Sequence, residues 1–339
     1  MKRFSLYLLA ALATVLCSCE HKELCYHHHP HEARIRVVFD WRDAPEANPR
    51  GMCVLFYPET GGAPVRYDFA GAEGGYVTLT AGKYRVLSYN NDTEAVLFYN
   101  YNSYDTHGAY TREGNPLEPI YGNGANYAPR AAGTEDERVV ICPDMMWGSN
   151  TNTVEIDGSG VCLNPDEVVM VPREDGSGEL QEEYIIKLYP HELTCIYTYE
   201  VRNVNNLAYM DQMCGTISGM AGALTFSTEA LPTECVTLPF ESYKYDDKTV
   251  VGTFFTFGHN ADNTEPHKMA FYVVMSDGGK YVFKDSERYN VTDQVNNAPN
   301  RRRVHIIIDG LDLPTPITGD SGFSPSVDDW VDVNYDIEM

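Results

Sequence analysis

Positive charge is scarce in this chain: 25 Lys and Arg stand against 49 Asp and Glu, a net charge of −24 over 339 residues. So acidic a chain is repelled by nucleic acid and by anionic membrane surfaces, and no nucleic-acid partner is expected. The short basic cluster Arg301-Arg302-Arg303 flanks a strand-like run and reads as a solvated turn. Long apolar runs are missing too. Beyond residues 4–16 no run approaches the roughly 18–20 apolar residues of a spanning helix. CxxC pairs are absent, so a zinc ribbon or thioredoxin-type site is not indicated. So are GxxxxGK(S/T), GxGxxG and an EF-hand loop. His191-Glu192-Leu193-Thr194-Cys195 starts like the zinc-protease HExxH but puts Cys195 where the second His belongs. His31-Glu32-Ala33-Arg34-Ile35 fails in the same way, and Gly215-Thr216-Ile217-Ser218-Gly219 has its Ser one place off the nucleophile-elbow spacing. No catalytic residue and no cofactor is expected.

What is present begins with a leader. Lys2 and Arg3 precede an apolar run of about 13 residues, and Leu16-Cys17-Ser18-Cys19 closes it. Leu16 three places before Cys19 and a small residue just before it form the pattern of a lipobox. Cleavage after Ser18 would leave Cys19 to carry lipid. Residues 19–32 are then a tether. Its Cys25, His27, His28, His29 and His31 are metal-ligand types at close spacing, but nothing nearby supplies ligands from a second turn. The simpler reading is a polar stalk outside the membrane, with no metal and only a weak site at Cys25, His27, His29 and His31. Seven cysteines follow Cys19, an odd number that cannot pair completely within one chain.

The body reads as all-β. Ile35, Val37 and Phe39 alternate with charged residues, a period-2 strand that Pro45 and Pro49 end. Runs at 52–57, 65–69, 76–79, 83–89 and 95–99 follow at short intervals with Gly or Asn between them, as in an antiparallel sandwich or barrel. Residues 100–137 show little periodicity and read as a long loop, and 138–142 as a returning strand. Two Asp-Gly-Ser-Gly turns, at 157–160 and 175–178, bracket a strand-like 167–171. The domain junction is placed near residue 178, giving domains at 33–178 and 179–339. The second half opens with a long run at 184–204 and continues through a Gly- and Met-rich loop at 207–223. Further strands are expected at 235–240, 249–257, 269–275, 280–283 and 303–309. Asp277-Gly278-Gly279 is a hairpin turn.

The last ten residues are the most regular. Val331, Val333, Tyr335, Ile337 and Met339 alternate with Asp332, Asn334, Asp336 and Glu338, a half-buried strand. Such a segment closes its own sheet or pairs with a partner's edge. Within the loop at 98–127, Tyr101 and Tyr121 are candidate ligand aromatics for a glycan or host-surface ligand, although loop packing accounts equally for tyrosines there.

The lipobox, the tether, Val38-Phe39-Asp40-Trp41 and 89–94 (YNNDTE), with 215–222, Val251-Gly252-Thr253-Phe254, 308–314 (IDGLDLP) and Asp328-Asp329-Trp330, together resemble the fimbrillin-associated lipoproteins of Bacteroidales. The resemblance implies two consecutive β-sandwich domains of transthyretin-like topology behind a lipoprotein signal peptide. It further implies a structural, non-enzymatic subunit of type V pili at the outer membrane. Its partners would be other fimbrial subunits, joined by strand addition, and the membrane, reached through lipid on Cys19. In shaft subunits of that group an arginine-specific protease removes the leader-proximal strand and a neighbour's strand fills the groove; Arg34, Arg36 and Arg42 are the corresponding candidates. A cell-surface glycan- or host-ligand-binding lipoprotein is the alternative.

Overall fold

The computed structural model describes residues 32–114, 130–150, 152–173, 176–285 and 287–315. These residues form strands almost throughout. In the first half they are β1 (Glu32–Phe39), β2 (Gly51–Pro58), β3 (Val65–Ala70), β4 (Gly74–Thr80), β5 (Gly82–Asn90), β6 (Val96–Tyr99), β7 (Gly108–Thr111), β8 (Arg138–Val139), β9 (Trp147–Ser149), β10 (Thr153–Ile156), β11 (Glu167–Pro172), β12 (Leu180–Leu188) and β13 (His191–Glu192). In the second they are β14 (Cys195–Asn205), β15 (Met210–Ala221), β16 (Ala223–Thr225), β17 (Cys235–Lys244), β18 (Val250–Thr256), β19 (Met269–Met275), β20 (Lys280–Phe283) and β21 (Arg303–Asp312), with a short helix α1 (Thr292–Asn296) before β21.

A four-stranded sheet, β11-β12-β1-β4, faces a six-stranded one, β13-β9-β5-β2-β3 with β10 beside β5. Ile35, Val37 and Phe39 of β1 meet Met52, Val54 and Phe56 of β2 in one apolar cluster between them. Each such fully buried side chain contributes about 1.5–3 kcal/mol. An eight-stranded sheet, β20-β19-β15-β17-β18-β14-β21 with β8 beside β17, turns a corner where Tyr243 and Lys244 pair with Val251 and Val250. Its two arms enclose a second cluster around Tyr199, Leu238, Phe271 and Ile306.

The two halves share a circuit. β1 lies between a parallel β12 and an antiparallel β4, while β2 lies between β5 and β3. β14 lies between a parallel β21 and an antiparallel β18, while β15 lies between β19 and β17. The first strand of each half therefore pairs in parallel with a strand from the end of that half, β1 with the penultimate β12 and β14 with the last described strand, β21. The expected antiparallel pairing holds for most ladders, and these two, with the short parallel pairing of β8 and β17, are the departure. A parallel partner needs a long crossover, and each half supplies it with its own intervening strands.

Three local expectations change. The run at 184–204 is not one strand: Pro190 cannot donate to a ladder, and the chain passes from β12 through β13 to β14. The Gly- and Met-rich stretch at 207–223 is one 3-10 turn, Leu207–Tyr209, followed by the long buried strand β15. Its glycines serve close approach: a Cβ at Gly215 would stand 2.5 Å from the Phe240 ring, and Gly219 takes φ +76° where the ladder with β17 shifts register. The loop at 100–137 contains β7, which joins β6 of the first half and β16 of the second in a three-stranded sheet.

Candidate functional site

Cys19, the tether residues Cys25, His27, His28, His29 and His31, the terminal segment with Val331, Val333, Tyr335, Ile337 and Met339, and Tyr121 lie outside the described residues. Tyr101 is described and faces inward. It packs on a third apolar cluster, its ring stands edge-on to His107 at 5.8 Å, and its carbonyl accepts from the Tyr57 hydroxyl at 3.0 Å. Tyr104 beside it donates to the Asn150 carbonyl at 2.6 Å, with the Arg85 guanidinium 4.0 Å above its ring.

That third cluster joins the halves. Leu55, Tyr89 and Ala109 from the first meet Leu224, Phe226 and Phe257 from the second, and Tyr89 stacks on Phe226 at 4.4 Å. His107 sits fully buried among them. Its Nδ1–H donates to the Tyr99 carbonyl at 2.6 Å, which leaves Nε2 to accept from the Tyr89 hydroxyl at 2.9 Å. Burial lowers its pKa, so the imidazole is held neutral. At the rim of this joint Glu229, at φ +54°, accepts from His191 Nε2 at 2.6 Å and from Arg302 at 2.9 Å, tying β13 to the turn before β21. The hydrogen bond to Glu229 raises the His191 pKa, and His191 in turn lowers that of Glu229. Glu192 pairs with Arg303 alongside. His191 and Glu192 thus serve an ion-pair cluster. Among the described residues no three His, Cys, Asp or Glu converge as a metal site, and no helix is long and apolar enough to cross a membrane.

The first described strand is β1. Its alternation places Ile35 and Val37 in the core and turns Arg34 and Arg36 outward. The Arg34 guanidinium lies 4.1 Å over the Tyr76 ring, and Arg36 stands 3.7 Å from the Glu183 carboxylate. Arg34 is laddered to β4, and Arg36 to both β12 and β4, so a protease that needs an extended peptide must first open the sheet. Arg42 lies beyond, in the 3-10 turn Trp41–Asp43. Its Nε and NH2 donate to Asp40 at 3.1 and 2.5 Å, and its guanidinium lies 4.8 Å from the Tyr189 ring centroid. Those bonds pull the Asp40 pKa down. Trp41 next to it donates Nε1–H to the Ala72 carbonyl at 2.7 Å and meets Trp147 edge-on at 6.4 Å. The segment after β1 is therefore pinned at Trp41, while Arg42 bonds within its own turn and rests against Tyr189. Sequence spacing offered no sign of the Trp41 bond to Ala72 or of the Glu229 contacts, because those partners come from distant stretches of chain.

Comparison with known proteins adds three likenesses. A curated relative from Bacteroides ovatus, provisionally named fimbrium anchoring subunit Fim4B, is 24% identical over 237 residues, which is 70% of this chain and 60% of the relative. The chain thus spans less than two thirds of that relative's length. A crystal structure from Bacteroides ovatus, described provisionally as an adhesin, superposes with a TM-score of 0.57 at 20% identity, covering 85% of this chain and 94% of the other. The fimbrial anchor protein Mfa2 from Porphyromonas gingivalis aligns over 81% of this chain and 90% of its own, at 11% identity and a TM-score of 0.41. The chain is similar to fimbrial anchor and adhesin-like proteins of Bacteroidales, as its sequence motifs implied. A family model described as a domain of unknown function, DUF5119, matches residues 18–241, and the chain belongs to that family.

Proposed function

We propose that this protein is a fimbrial subunit of the anchor type, held at the outer membrane by lipid on Cys19 and joined to other fimbrial subunits by β-strand addition. The observation that carries the anchor role is the setting of β1. It is laddered on both sides, its apolar residues lie in the core, and the turn that follows is pinned by the Trp41 bond to Ala72. A subunit that keeps its leader-proximal strand keeps its covalent path to Cys19. The similarity to Fim4B supports the same reading. The role is mechanical, and no catalytic step is assigned to it.

The body is two consecutive sandwich units of transthyretin-like topology, which the shared circuit of the halves supports. The junction sits between Glu192 and Cys195, because β12 and β13 pair with first-half strands. The alternating segment Val331, Val333, Tyr335, Ile337 and Met339 is the strand offered to a neighbour. The inward packing of Tyr101 favours this reading over a glycan-binding loop.

Gentle detergent extraction of native membranes tests it. The full chain is expected to bring fimbrial subunits with it, and a chain lacking residues 330–339 to stay in the membrane fraction without them. Loss of membrane attachment on Cys19→Ala completes the expected pattern. A truncated chain that still recovers the same subunits would refute strand donation by this segment, and a full chain with no fimbrial partner would refute the assembly role.

A further inference from the structure

Among the described residues β21 is the outermost strand of its sheet, with β14 on one side only. Such an edge presents main-chain donors and acceptors to any passing strand. At Ile307 those groups are taken. The Ile307 N–H donates to Gln294 Oε1 at 2.8 Å, and Gln294 Nε2 donates back to the Ile307 carbonyl at 2.9 Å. A side-chain amide offering one acceptor and one donor to a single residue reproduces what a neighbouring strand would offer there. Three residues on, Arg288 donates to the Gly310 carbonyl at 2.8 Å.

Gln294 is held for this contact. It sits in α1, whose Val295 is fully buried, and the preceding Val291 is buried and donates its N–H to the His267 carbonyl at 2.8 Å. The Thr292 N–H and hydroxyl both donate to Asn290 Oδ1, at 3.1 and 2.6 Å. A second, independent case occurs in the first half. The Tyr67 hydroxyl donates to the Thr78 carbonyl at 2.6 Å and accepts from the Thr78 N–H at 3.0 Å, so one side chain closes one residue of β4.

We propose that Gln294, backed by Arg288, is an edge guard that closes β21 to strand pairing with a second copy of this chain. Two β21 edges can meet antiparallel about a two-fold axis, so one unguarded edge suffices for self-association. Ile307 is 37% exposed, which leaves the edge within reach of such a partner once the amide is gone. The assignment stands whether or not the chain joins a fimbrium.

Amide hydrogen exchange and sedimentation of the full chain test it together. Wild type is expected to be monomeric with a protected Ile307 amide. At low concentration Gln294→Ala should raise Ile307 exchange by about tenfold, the factor that a net hydrogen-bond contribution corresponds to. Gln294→Glu, which accepts but cannot donate, should fall between them. On concentration Gln294→Ala should dimerise. Adding Ile307→Pro, which removes the edge N–H, should return it to monomer. Unchanged Ile307 exchange in Gln294→Ala would overturn the proposal. So would a monomer at every concentration, or a dimer that Ile307→Pro leaves intact.

Discussion

The two halves run one circuit but hold their first strands with different grip. β14 is paired at nine residues with β21 and at seven with β18, whereas β1 is paired at five with β12 and at seven with β4. The second half closes around long ladders and an aromatic core in which Phe240 stacks on Phe254 at 4.7 Å. The first half closes around a shorter strand and adds a fastener outside the ladder, the Trp41–Arg42 turn. Grip on a leader-proximal strand is therefore not set by ladder length alone. A strand with fewer main-chain bonds stays in place when the residues just after it are tied by side chains.

The sharpest way to break this contrast is to empty the core of the second half. Tyr199 is buried there, with its hydroxyl donating to Ser242 at 2.5 Å. Tyr199→Ala should destabilise by about 3–5 kcal/mol in denaturant titrations, and hydrogen exchange should place the loss in β14, β18 and β21. Next comes the fastener. Trp41→Ala removes the bond to Ala72 and the contacts with Phe39 and Trp147. As Trp41 is only half-buried, the cost should be about 2 kcal/mol, below the range for fully buried aromatics. Limited trypsin digestion should then cut at Arg42, where wild type resists. Ile35→Val shaves one methylene from β1 and should cost about 0.5–1.5 kcal/mol, with faster exchange confined to the four-stranded sheet.

The smallest effect concerns the clasp between the halves. Because Glu229 raises the His191 pKa above its usual 6.5, His191 contributes stability that is complete below pH 6.5 and is lost as pH rises through the raised value. Glu229, lowered from 4.5, contributes stability that is present above pH 4.5 and lost as pH falls through its depressed value. The clasp is thus strongest between about pH 4.5 and 6.5. His107, His259 and His267, all lowered by burial, act in the opposite sense and lose stability below pH 6.5. The difference between wild type and His191→Gln isolates the clasp: the stability gap should narrow from pH 6 to pH 8.

Much of the strand pattern was legible. β1 follows from alternation, whereas β2, β5 and β19, buried on both faces for most of their length, follow from apolar runs bounded by turn residues such as Asp277-Gly278-Gly279. β15 was not legible. It is buried on both faces, so alternation vanishes, and its glycines mark contact with Phe240 and a register shift, not a loop. β7 was hidden because it is short and its partners β6 and β16 lie far away in sequence. Tyr101 illustrates the limit of composition. A Tyr- and Asn-rich loop suggests a ligand surface, yet Tyr101 fills the joint beside His107. Glu229 and Gln294 gave no local signal at all, since their chemistry comes only from partners that folding brings to them.

The most direct test of the central claim is the N-terminal mass of the protein taken from cells that make it, before and after exposure to an arginine-specific protease. A chain that begins upstream of Glu32 and remains uncut at Arg34, Arg36 and Arg42 is the expected result, since β1 is locked into its sheet. A chain that begins at Asp43 would mean that β1 is shed, and one that begins at Ile35 or Val37 that its covalent path to Cys19 is cut; either would contradict the account.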